Sequence, residues 1–144
     1  MFFPDLGTKT QAVQGEWVQA IGWLSPAQEF PTGPSPANFI IRLQELCAAR
    51  YEHGFDFPEA GGTHTCEFCH AYTSRGVLGV PDGNVLFVAP EMVYHYVAIH
   101  HYRPPQSFVD AVLKCPEKGS TALRTEVARF NDRIATLFKS LTDK

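Results

Sequence analysis

At 144 residues, 44% apolar and 19% charged, the chain has the length and composition of one ordinary globular domain, able to bury a core without needing metal or disulfides merely to fold. A formal charge of -3, with no long run of one sign, argues against a nucleic-acid module built on a broad basic face. No apolar run approaches the roughly 20 residues needed to span a bilayer, and Met1-Phe2-Phe3-Pro4-Asp5 lacks the basic start and apolar run of a signal peptide, so the chain reads as cytosolic.

Residues 1–15 show little periodicity and are expected as an irregular arm. Trp17 to Leu24 is short, aromatic and β-branched, which favours a strand, although Trp17, Ala20, Ile21 and Leu24 also fit helical spacing. Ser25 to Ser35, with Pro26, Pro31, Gly33 and Pro34, is a loop. A helix follows, with Ser35 as N-cap and Pro36 at the first helical position. Phe39, Ile40, Leu43, Leu46 and Cys47 form its buried face, and Cys47 reads as a small core hydrophobe. Tyr51 to Gly62 is turn-rich.

Val77–Val80 and Val85–Val88 are two apolar runs around the turn residues Pro81-Asp82-Gly83-Asn84, with Gly83 free to take a positive φ. They predict a β-hairpin. Pro90 and Glu91 suit a helix start, and the helix should run to about Tyr102, before Pro104-Pro105. Gln106 to Leu113 predicts a shorter helix ended by Cys115-Pro116, with Cys115 a lone thiol. The last helix, about Ser120 to Leu141, carries Leu123, Val127, Phe130, Ile134, Leu137 and Leu141 as one apolar seam. That seam suits packing on the chain's own core, and its heptad spacing also suits a homodimer. Residues 1–144 read as a single domain, with no internal repeat.

The chemistry concentrates between Gly62 and Tyr102. Cys66 and Cys69 are spaced to turn inward from one knuckle, and His95 and His100 lie within the ligand window of zinc sites, giving C-x2-C-x25-H-x4-H. In a reducing compartment such a pair is a metal or redox motif before it is a structural disulfide. A redox pair would sit between a strand and a helix start; Gly61-Gly62 before it and a hairpin after it argue against that reading. Cysteines, hairpin, then a helix with histidines is the order of a treble-clef zinc site, so the expected fold is α+β, with that unit packed against three further helices. Zn2+ is the expected metal, held by Cys66, Cys69, His95 and His100. Five positions of helix turn the chain by about 140°, so the two histidines do not share one face, and His95 falls in the second turn of the expected helix. His64, His70 and His101 are therefore alternatives, His64 first among them. Glu91, four residues before His95, suits a partner of a ligating imidazole, a general base beside an open zinc, or simply an acid at a helix N-terminus.

The motifs Gly62-x-His64-x-Cys66-x-x-Cys69 and Glu91-x-x-x-His95-Tyr96-x-x-x-His100-x-Tyr102-x-Pro104-Pro105-x-x-Phe108 resemble those of a group of small uncharacterised bacterial proteins. Gly22-Trp23-Leu24 and Phe30-Pro31-Thr32-Gly33 are similar to pieces of the same group. The resemblance covers about Trp17 to Cys115 and implies only that the Cys/His set is distinctive; it implies no activity. Three functions follow from the residues. The first is a binding protein, such as an immunity or accessory module, with a structural zinc and a protein partner. The alternative is a zinc hydrolase or nuclease with an open metal position and Glu91 as base; no histidine lies in the hairpin strands to serve a His-Asn-His nuclease. The third is a nucleic-acid module using Arg124, Arg129, Arg133 and Lys139, disfavoured by the acidic balance.

Overall fold

The structure, a computed structural model, describes residues 2–58 and 62–142, with side chains placed through residue 139. The elements run β1 (Val18–Ala20), α1 (Ala37–Ala48), β2 (Thr63–Thr65), β3 (Thr73–Arg75), β4 (Val77–Asp82), β5 (Val85–Pro90), α2 (Val93–His100), α3 (Gln106–Lys114) and α4 (Thr121–Thr142).

β5 is the central strand of a three-stranded sheet in the order β1-β5-β4, parallel to β1 and antiparallel to β4. Its residues alternate between two cores, as the period of a strand requires. Phe87 and Ala89 join Leu78 and Val80 of β4 against Phe39, Leu43, Phe108 and Val112 of α1 and α3. Leu86 and Val88 join Val18 and Ala20 of β1 against Val13 of the arm and Phe130 and Ile134 of α4. Burial of each such side chain contributes about 1.5–3 kcal/mol. The fold is α+β, in one domain, with a second, two-stranded ribbon of β2 and β3.

Several local expectations hold and others shift for identifiable reasons. The β4–β5 hairpin closes through Gly83-Asn84, with Gly83 at φ +61°; the strands continue through Pro81 and Asp82. Pro81 is tolerated because β4 is an edge strand. The strand expected over Trp17–Leu24 is only three residues long. Beyond it Gly22, at φ +73°, turns the chain, and a Cβ there would meet Val93 Cγ2 at 2.9 Å. Ser35 does not cap α1. Pro36 takes the N-cap place in extended conformation, and Asn38 Oδ1 accepts the Phe39 N–H instead. In α4, Ser120 Oγ accepts the Leu123 N–H, a normal N-cap bond. Leu123, Val127, Phe130 and Ile134 of its seam are buried within the chain, while the Leu141 side chain lies outside the described residues.

The irregular arm is tied down by hydrogen bonds. Leu6 N–H donates to Ala20 O at 2.7 Å and Ala20 N–H to Gly7 O at 2.8 Å. Asp5 accepts from the Gly22 N–H through Oδ1 and from the buried Tyr102 hydroxyl through Oδ2 at 2.7 Å. Arg129 and Arg133 donate to the carbonyls of Gly83 and Asn84, so two of the four cations considered for nucleic acid hold the hairpin turn. No helix among the described residues is long and apolar enough to cross a membrane.

Candidate metal centre

The knuckle is the loop of a ribbon that the sequence did not suggest. β2 and β3 pair antiparallel, Thr65 opposite Thr73, and residues 66–72 form the connection. Cys66 N–H donates to Tyr72 O at 2.8 Å, closing the ribbon, and His70 N–H donates to Cys66 O at 2.8 Å, closing a turn around Cys69. His70 takes a left-handed conformation, φ +57°, where the turn reverses.

The histidines come from α2, which starts later than its sequence implies. β5 remains paired with β4 as far as Pro90, opposite Val77, and Glu91 N–H donates to Gly76 O at 3.1 Å. The backbone is therefore committed to the sheet until Met92, and Pro90 ends a strand rather than opening a helix. His95 is consequently the third residue of α2, in the first turn, and not in the second turn. His100 is the last residue of the helix.

The two elements bring four donor atoms together. Cys66 Sγ lies 3.4 Å from His100 Nε2, and Cys69 Sγ lies 3.3 Å from His95 Nε2. One ligand atom from each of Cys66, Cys69, His95 and His100 falls within 4.8 Å of all the others. Bond lengths of about 2.3 Å to sulfur and about 2.0–2.1 Å to nitrogen put S and N about 3.5 Å apart across a tetrahedron. The observed spacings fit a shared ion. Cys66 and His95 are buried, Cys69 and His100 half-buried. Burial, and secondarily the His100 imidazole, hold His95 below its ordinary pKa against a smaller upward pull from Glu91, so its neutral form is favoured. Two thiolates and two neutral imidazoles would balance a divalent cation, which suits a buried site. The four residues are positioned to bind a metal ion.

Aromatic rings bracket the ligands. The Tyr72 ring stacks on His95, with centroids 4.6 Å apart. Phe68, inside the knuckle, lies 5.4 Å from the His100 ring and edge-on to Tyr96 and Phe30. Glu91 is buried, and its Oε1 accepts the Tyr72 hydroxyl at 2.7 Å, while Oε2 is buried with no hydrogen-bond partner among the described residues. Burial, and then Glu91, push the Tyr72 hydroxyl up to about 12. Cys47 of α1 is also pushed up to about 12, by burial first and by Glu91 second, so it stays a neutral thiol in the core.

The remaining histidines stand apart from the four-residue group. His64 is exposed on β2 opposite Ser74, His70 is exposed at the end of the knuckle, and His101 is the exposed C-cap of α2. Tyr72 and Phe68 were missed by reading donors alone. Their one signal is local: aromatic residues within or just beyond a CxxC turn are placed to pack against whatever completes the site.

The family described as Domain of unknown function (DUF7919) matches residues 1–113, and the chain belongs to it. The matched residues include the whole four-residue group and stop before α4. No curated protein and no solved structure matches the chain.

Proposed function

We propose that this member of the DUF7919 family is a zinc protein whose metal is structural, and that it acts by binding a protein partner. The observation that carries this reading is the four-donor group: two thiols from the ribbon loop and two imidazoles from α2 at tetrahedral spacing. Thiolate and imidazole in an S2N2 set favour zinc over magnesium or calcium, which prefer oxygen. Four protein ligands fill a tetrahedron and leave no position for an activated water. Such an ion would clamp the ribbon to the first turn and the last residue of α2, adding its binding energy to folding.

The alternative, a hydrolytic zinc with Glu91 as base, is less well supported. Glu91 is buried and its Oε1 accepts the Tyr72 hydroxyl, which gives the carboxylate a structural partner. The test is metal analysis of protein purified without chelator, joined to a screen of wild type and Glu91→Gln against ester, peptide and nucleic-acid substrates. About one zinc per chain with no turnover, and recovery of a defined partner in pull-downs, is the expected result. Zinc-dependent turnover lost in Glu91→Gln would overturn the structural reading.

A further inference from the structure

Behind the β2–β3 ribbon lies a cavity of ≈ 130 Å³ that is separate from the four donor atoms. We infer that it is a binding site for a small planar aromatic carboxylate. Size sets the first limit. An apolar cavity of about 150 Å³ accommodates benzene, so this one takes a single aromatic ring and no nucleotide.

The walls suit such a ring. Phe55 and Phe57 stack on each other with centroids 5.4 Å apart and planes at 23°, and both line the space. Trp23 lines it too, and its indole N–H is already engaged with Val88 O at 2.9 Å, so the ring offers π surface rather than an unsatisfied donor. Offset and edge contacts among aromatic rings add to simple burial.

The charge of the lining fixes the second half of the ligand. Among the described residues that line it, Arg50 stands as a positioned cation and none is an Asp or Glu. Arg50 is held in place by its own backbone contacts: Nε donates to Arg75 O at 2.9 Å and Nη1 to Cys47 O at 2.7 Å. Its guanidinium also lies 4.6 Å from the Tyr51 ring centre. Both fixed bonds go to neutral carbonyls. Among the described residues Arg50 has no carboxylate partner, and Nη2 makes no hydrogen bond. A positioned guanidinium with charge to spare is a carboxylate receptor. Gly76 makes room for this arrangement: at φ +91° a Cβ would stand 2.4 Å from Tyr51 Oη and 3.0 Å from Arg50 Nε.

The probe is benzoate, titrated calorimetrically into the full chain, with benzamidinium as the isosteric cation. Benzoate should give a one-site isotherm tighter than about 1 mM, and benzamidinium should bind at least about tenfold more weakly. Arg50→Gln should weaken benzoate about tenfold or more. Ser74→Leu, which extends a buried lining residue into the space, should abolish binding while zinc content and melting temperature hold. Nuclear Overhauser contacts from benzoate to the Trp23 indole in wild type locate the site independently of any variant. No benzoate binding at about 10 mM, equal binding of benzamidinium, absence of Trp23 contacts, or full binding by a folded Ser74→Leu would each overturn the inference. Zinc content, read on the same samples, separates its failure from failure of the metal reading.

Discussion

The Tyr72 ring stacks on the His95 imidazole, with centroids 4.6 Å apart and planes at 7°, while its hydroxyl donates to the buried Glu91 carboxylate at 2.7 Å. One side chain thus fixes the plane of a candidate ligand and satisfies an oxygen that would otherwise be buried alone. The two roles separate by substitution. Tyr72→Phe keeps the stack and strands Glu91, so it should cost about 1–3 kcal/mol in urea unfolding with metal affinity nearly unchanged. Tyr72→Ala removes the stack as well and should weaken zinc binding by about 10–100-fold in a chelator competition.

Ligand identity has a direct check in zinc content. Cys66→Ser, Cys69→Ser, His95→Ala and His100→Ala should each lower it sharply, because each removes one donor of the four-atom group. His64→Ala should leave it unchanged and shift stability by no more than about 0.5 kcal/mol, since His64 is exposed on β2. Loss of zinc in His64→Ala would redraw the site.

Removing the metal from the folded protein should loosen the ribbon before the core. The two sheet-centred cores are built on Phe39, Leu43, Phe87 and Phe108 on one face and Leu86, Phe130 and Ile134 on the other; of the candidate ligands, Cys66 lies within the first and Cys69 packs against it. After chelation, circular dichroism should keep most of its helical signal, while amide exchange rises over residues 63–75. Collapse of the helical signal would place the ion at the heart of the fold.

His53 supplies a pH dependence that does not involve the metal. It is buried with Nδ1 unpartnered among the described residues, and burial, then Arg42, lowers its pKa against an upward pull from Glu52, with Lys118 adding a smaller push down. A lowered folded pKa means that the unfolded chain takes the proton more readily. The stability contributed by the neutral form is therefore fully present above the unfolded value of about 6.5 and is lost as pH falls through the folded value. Urea midpoints between about pH 5 and 7.5 should fall more steeply for wild type than for His53→Gln. Parallel slopes would remove His53 from the account.

Gly76→Ala should cost at least about 1 kcal/mol, because the residue sits at φ +91° and the added Cβ would strike Tyr51 Oη. Its carbonyl also accepts the Glu91 N–H, so the strain should reach the entry to α2. A thermal melt matching wild type would show that Tyr51 and Arg50 yield freely.

The sequence by itself determined the pieces that depend on neighbours in the chain. The helical faces of α1 and α4 and the β4–β5 hairpin around Gly83 were legible, and the residues able to offer thiol and imidazole donors could be named, because period, turn chemistry and ligand type are local properties. The β2–β3 ribbon was not, since Thr63–Thr65 and Thr73–Arg75 are short and largely exposed and carry no apolar alternation. Nor was the value of the arm, whose hold on Ala20 and Tyr102 runs through backbone groups and one aspartate. The decision among histidines was tertiary. By sequence, His95 sat in a second helical turn and about 140° away from His100. In the fold, pairing of Pro90 with Val77 delays α2 until Val93 and moves His95 into the first turn. The knuckle then meets both imidazoles, one from the first turn of α2 and one from its last residue. Where a strand releases the backbone depends on its partner strand, and that partner's grip is set by packing across the sheet, beyond the reach of any spacing rule.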